Sequence, residues 1–245
     1  QKALNPQRFS YTKYDELGRV VEAGELISNS STYNISDLGG LRDGIIPFTG
    51  FSGVNAVNFP DNLASAKKEV TRSIYDELFD QGLDITVPLQ GGSQAQVSAL
   101  FESYSSLNTR NRIVGIIYQE TYAANLSTYN NATFYDYDVH GNVKELIQVN
   151  MDQALRDLNQ HIKHVNYTFD LVSGNVKKVT YQKGEADQFI HRYRYDDDNR
   201  ITHAETSRDD FYYEKDAKYF YYDHGPLART ELGDKKVAAS DYAYT

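Results

Sequence analysis

The amino-acid sequence predicts an all-β protein built from repeated antiparallel hairpins, with one or two short inserted helices. Three observations point there. Among 245 residues, Tyr occurs 21 times beside 11 Phe and no Trp. Tyrosine at this level suits half-buried β surface, where the ring packs and the hydroxyl reaches water or a turn. An aromatic–Asp pair recurs at Tyr14–Asp15, Tyr137–Asp138, Phe169–Asp170, Tyr195–Asp196 and Tyr222–Asp223, the last four separated by 32, 26 and 27 residues. Each pair closes an alternating aromatic run and precedes a polar turn and an alternating apolar run.

The hairpin reading follows from turn chemistry. An Asp carboxylate accepts backbone N–H bonds two residues on, and Gly takes a positive φ at no steric cost. Gly18, Gly141 and Gly174 hold the same place in their units, and Asn199 fills the neighbouring turn position in the fourth. In the fifth, Gly225 is followed by Pro226, which lacks a donor, so the strand there is expected to start late or lie at an edge.

Between repeats the pattern changes. Residues 24–60 are rich in Gly, Ser and Asn and read as a surface excursion with short strands at Tyr33–Ile35 and Ile45–Phe48. Residues 61–70 suit a short helix, and 71–79 suit a strand ending in Tyr75–Asp76, with a helix as the competing reading. Val97, Leu100, Phe101 and Tyr104 fall at helical spacing, and 110–124 reads as a strand. A helix is predicted over 151–164, with Met151, Ala154, Leu155, Leu158 and Ile162 on one stripe and Asn150 as N-cap. The expected organisation is a first hairpin at 1–26, an elaborated strand-and-loop segment at 27–131, and tandem hairpins at 132–245 that continue beyond the sequence.

Several function classes find no support. The net charge of −9 is spread along the chain, which argues against a nucleic-acid binder relying on backbone electrostatics. Cys is absent, which removes cysteine nucleophiles and Cys-ligated metal centres. No run approaches the ~20 apolar residues of a membrane helix. His161 and His164 lack a third local ligand and read as solvated. The run from Asp196 to Arg200 is too short for a calcium loop and lacks its closing Glu. No Ser lies in a G-x-S-x-G context, and the repeated carboxylates have a structural explanation in every copy. No catalytic residue, metal or cofactor is assigned.

The stretch YTKYDELGRV at 11–20 resembles the RHS/YD repeat, and YDYDVHGNVKEL and YTFDLVSGNVKKV are similar to it. The residues that carry the resemblance are Tyr14, Asp15, Gly18 and Arg19; Tyr137, Asp138, Gly141 and Asn142; Phe169, Asp170, Gly174 and Asn175; Tyr195, Asp196, Asn199 and Arg200; and Tyr222, Asp223 and Gly225. The resemblance implies part of a spiralling β-sheet shell, similar to the shells of Tc toxins and teneurins. It also implies a structural role in a large secreted or bacterial cell-surface protein that encloses or presents a C-terminal domain, in some members a toxin. Expected partners are the rest of that polypeptide, an enclosed effector or a secretion-machinery protein, with no nucleic acid and no membrane insertion. A carbohydrate- or protein-binding module using exposed tyrosines is the alternative.

Overall fold

In a computed structural model, residues 7–28, 67–78, 85–89, 91–234 and 238–242 are described. The strands are β1 (Gln7–Tyr14), β2 (Val20–Ser28), β3 (Lys67–Tyr75), β4 (Thr86–Pro88), β5 (Gln94–Gln96), β6 (Ile113–Thr121), β7 (Asn131–Tyr137) and β8 (Val143–Asn150). They continue as β9 (Ile162–Phe169), β10 (Val176–Tyr181), β11 (Phe189–Tyr195), β12 (Ile201–Ser207), β13 (Glu214–Tyr221), β14 (Leu227–Leu232) and β15 (Ala238–Asp241). Among the described residues, thirteen of these form one antiparallel sheet, while β4 and β5 form a separate ribbon. Within the large sheet every strand pairs with its predecessor and successor in the chain, so the architecture is all-β and a pure meander. The described parts of 27–131 supply β3 and β6 to the same sheet.

Alternation along the strands decides what covers them. Ala132, Phe134 and Asp136 of β7 and Glu145, Ile147 and Val149 of β8 are buried. Register places Phe134 opposite Ile147 and Ala132 opposite Val149, so all six share one face. The connection from β3 to β6 folds back over that face: Leu78, Ile85, Val87, Val97 and Phe101 pack against Ile117, Phe134, Ile147 and Val149. Burying each large side chain there contributes roughly 1.5–3 kcal/mol. Gly115 fits beneath this layer because a Cβ would meet the Phe134 ring at 3.0 Å.

The predicted helices are largely corrected. Over 151–164 the helix is only α1 (Gln153–Asp157), capped by the Asp152 carboxylate and not by Asn150. Asn159 turns to φ 54°, and from Ile162 the chain is strand. A short isolated stripe offers little burial, and Leu158 stays exposed, whereas β9 gains backbone pairing on both sides. Over 94–104 the apolar spacing becomes β5 followed by a 3₁₀ turn at Val97–Leu100, enough to bury Val97 and Phe101. Residues 67–70, expected to end a helix, begin β3, and of the two readings for 71–79 the described part takes the strand. The short strands predicted within 24–60 lie outside the described residues.

Candidate functional site: the row of turns

Because the sheet is a meander, the aromatic–Asp turns line up along one rim. Six hairpins share a single geometry. Tyr14, Tyr75, Tyr137, Phe169, Tyr195 and Tyr221 each end an outgoing strand and pair with Val20, Ile113, Val143, Val176, Ile201 and Leu227 respectively. The next residue closes the turn. Its N–H donates to the carbonyl of the last turn residue: Asp15 to Arg19 at 2.9 Å, Asp138 to Asn142 at 2.9 Å, Asp170 to Asn175 at 2.8 Å and Asp196 to Arg200 at 3.0 Å. The penultimate residue takes a positive φ, +78° at Gly18, +95° at Gly141, +75° at Gly174 and +62° at Asn199.

The carboxylate holds the bend from inside. Asp15 Oδ1 accepts from the Leu17 and Arg19 N–H groups, both at 2.9 Å, and Oδ2 from Arg19 Nε at 2.6 Å. Asp138 accepts from the N–H groups of His140 and Asn142 and from the Asn142 amide, and Asp196 repeats the arrangement with Asp198 and Arg200. Partial desolvation works to raise the carboxyls of Asp15, Asp138 and Asp196, but these donors outweigh it and hold all three below the ordinary Asp range. The third turn is one residue longer. There the Lys177 ammonium, with the Ser173 and Val172 N–H groups, pulls the Asp170 carboxyl furthest down.

The fifth turn is registered one residue earlier than the sequence suggested. Tyr221, not Tyr222, ends the strand, and the Tyr222 N–H donates to the Pro226 carbonyl at 2.9 Å. Tyr222 therefore stands in the Asp position, and Asp223 sits exposed at the tip. The substitution is coherent: Pro226 has no N–H to donate, so a carboxylate there would lack the donor that Arg19, Asn142 and Arg200 provide in their turns. Gly225 keeps the positive φ, at +109°.

A sixth turn is split in the sequence. The Asp76 N–H donates to the Arg112 carbonyl at 3.0 Å, and Asn111, at φ +59°, fills the position of Gly18 and Asn199. Asp76 Oδ1 accepts from the Asn111 N–H at 2.5 Å. The chain between Asp76 and Asn111 is thus inserted in the tip of an ordinary hairpin, and its described residues supply the layer that covers β6–β8. The pairs Tyr75–Asp76 and Asn111–Arg112 were the sequence signal.

Neighbouring turns are fastened by tyrosine. The Tyr75 hydroxyl donates to the Val20 carbonyl at 3.1 Å, Tyr137 to Ile113 at 2.6 Å, Tyr195 to Val176 at 2.9 Å and Tyr221 to Ile201 at 2.8 Å. In every case the acceptor directly follows the last turn residue of the preceding hairpin. Where that residue is Arg, its guanidinium lies over the same ring: Arg19 over Tyr75 at 4.3 Å, Arg112 over Tyr137 at 5.3 Å and Arg200 over Tyr221 at 4.7 Å. Phe169 occupies the same position without a hydroxyl. Between the third and fourth turns, Asn175 donates to the Asn199 side chain at 3.0 Å.

Several titratable groups elsewhere among the described residues hold the sheet and the inserted layer together. Asp136 and Glu145 face each other across β7 and β8, both buried. Lys144 Nζ lies 2.8 Å from Asp136, while Glu145 meets His164 Nδ1 at 3.2 Å and the Glu102 N–H at 3.0 Å. His161 is buried and not solvated, its Nε2 3.1 Å from the Pro88 carbonyl of the inserted ribbon. In the acidic run read as a repeat turn and not as a calcium loop, Asp196 and Asp198 both contact Arg200. Among the described residues no group of three His, Asp or Glu side chains could hold a metal ion.

No protein-family model and no curated protein matches the chain. Among solved structures it is similar to a crystal structure of TcdB2-TccC3 without its hypervariable C-terminal region, at 12% identity and a TM-score of 0.38. A second, TcdB2-TccC3-TEV, is similar at 11% identity and a TM-score of 0.25. The matches cover 97% and 93% of this chain, which spans 12% of each of theirs. The meander itself shows the all-β class.

Proposed function

We propose that the chain is a wall segment of an RHS/YD-type shell, a structural element of a larger secreted or bacterial cell-surface protein that encloses or presents another domain. The observation that supports this reading most directly is the tyrosine fastening. One rule joins hairpin to hairpin at four places, so adding units lengthens the sheet without a new kind of contact. Four strand-end tyrosines are engaged by neighbouring turns, which favours a wall over a binding strip built from them. In this reading the chain carries no catalysis, the carboxylates serve as turn acceptors, and the partners are the remaining wall and its cargo.

Electron microscopy of the natural polypeptide that carries this segment tests the proposal. A meander continuing into a wall around a closed cavity is expected. A free-standing sheet with solvent on both faces, or a sandwich with its own polar cleft, would overturn it.

A further inference from the structure

Three adjacent strands set basic side chains directly opposite one another. Arg194 of β11 pairs with His203 of β12, and His203 pairs with Lys218 of β13. Opposed residues stand about 4.5–5.5 Å apart at the backbone. All three therefore project from one face, with the short imidazole between two long side chains. Like charges set directly opposite destabilise a sheet, and the carboxylates on this face are shared or taken. Glu205 Oε2 accepts from Arg192 Nε at 2.7 Å and from Arg194 Nε at 3.1 Å, one oxygen between two guanidiniums. Glu231 stands opposite Lys218 but accepts from Arg229 Nε at 3.1 Å. Lys218 forms no ion pair among the described residues, its Nζ lying over the Phe220 ring at 4.8 Å. Burial, and then the Lys218 charge, hold the His203 imidazole below its ordinary range. Arg194 and Lys215 act the same way, and Glu205 opposes them.

We infer that Arg194, His203 and Lys218 together bind a phosphate or sulfate group. Each has donors to spare. Arg194 is exposed, and its bond to Glu205 through Nε leaves the terminal nitrogens unpaired. His203 Nδ1 lies 3.1 Å from Thr202 Oγ1, which leaves Nε2, and Lys218 keeps its ammonium N–H groups. A tetrahedral oxyanion above the imidazole offers one oxygen to each, and Arg and Lys are long enough to close over it from both sides. Hydrogen bonds between such charged groups are the strong ones. Arg192 is left out of the set because its guanidinium is stacked on Tyr213 at 3.4 Å and bound to Glu205. The group is either a free ion or the head of an ester, for which a groove of about 820 Å³ lined in part by Arg194 leaves room. The site is independent of the wall reading.

The test titrates the chain with sodium phosphate against sodium chloride at equal ionic strength, following the His203 ring resonance by NMR. His203→Gln assigns that resonance. Saturable movement in phosphate and none in chloride is expected, with the His203 titration midpoint moving to higher pH when phosphate is bound. Lys218→Met and Arg194→Met should each weaken binding roughly tenfold or more, while Lys68→Met, on β3, should leave it unchanged. Lys218→Met should also raise the urea midpoint in chloride, because it relieves the opposed charges, and abolish the further rise that phosphate gives the natural chain. A merely structural lysine would lower the first and leave the second. Glucose 6-phosphate distinguishes the sources: tighter binding than the free ion assigns an ester, and equal or weaker binding a free ion. No saturation in phosphate, an equal response to chloride, or Lys218 and Arg194 variants that bind as the natural chain does would each overturn the inference.

Discussion

The Tyr137 hydroxyl donates to the Ile113 carbonyl at 2.6 Å while its ring lies beside the Arg112 guanidinium. One side chain thereby ties β7 to the turn that precedes it, and the same tie recurs at Tyr75, Tyr195 and Tyr221. Removing only the oxygen isolates its worth. Tyr137→Phe is expected to cost about 1 kcal/mol, read as a lower urea midpoint at unchanged slope.

Phe169 gives the reverse experiment. It pairs with Val176 as Tyr137 pairs with Val143, and lacks only the hydroxyl. Phe169→Tyr should bring an oxygen to the Val143 carbonyl and stabilise the chain by roughly 0.5–1 kcal/mol. Equal or lower stability in urea would show that the longer third turn displaces the ring from its acceptor.

Glycine matters differently at two turns. Gly18 has a positive φ but open space where a methyl would stand, so Gly18→Ala carries the backbone penalty alone, about 1–2 kcal/mol. At Gly141 a Cβ would also collide with the Arg112 guanidinium. Gly141→Ala should therefore cost more than Gly18→Ala, and the excess should shrink in an Arg112→Ala background. A double-mutant cycle by urea unfolding measures both effects.

Acid should loosen the turn row. The carboxyls of Asp15, Asp138, Asp170 and Asp196 lie below the ordinary 3.8 in the folded chain. The unfolded chain then binds more protons as pH falls below that value, so stability is fully present above it and lost as pH drops through the folded pKa values. Urea midpoints between pH 7 and pH 2 should fall over the lower part of that range. Asp138→Asn should lower the midpoint at pH 7 and flatten the dependence.

Glu22 sits in a buried charge cluster, accepting from Lys67 Nζ at 2.7 Å, the Tyr11 hydroxyl at 2.8 Å and Arg72 Nε at 3.1 Å. Burial works to raise its carboxyl, but these donors hold it below the ordinary range. Glu22→Gln strips the countercharge from a fully buried ammonium and should cost about 3–5 kcal/mol. Glu22→Gln with Lys67→Met should recover part of that loss in thermal unfolding.

Much of the turn row was legible in the sequence because its causes are local. Asp15, Asp138 and Asp196 reach N–H groups two and four residues on, and Gly18, Gly141 and Gly174 relieve a positive φ within the same bend. Tyr222–Asp223 misled because an aromatic–Asp pair also arises when the hairpin register moves by one residue, and only the bond from Tyr222 to Pro226 decides that. Tyr75–Asp76 and Asn111–Arg112 could be matched as halves of one turn only when the sheet brought them together across the insertion.

By itself the sequence determined an all-β chain, the positions of four bends and, to within one residue, of a fifth, and the alternation of the strands that flank them, since each depends on neighbours a few residues apart. Tertiary structure decided the rest. The stripe over 151–164 became a five-residue helix, a turn and the start of β9, whose strand is held because β8 and β10 offered backbone pairing on both sides, and His161 became buried because the inserted ribbon closed over it. The hydroxyl partners of the tyrosines lie about 20 to 55 residues away, a distance at which no local periodicity reports what a side chain will meet.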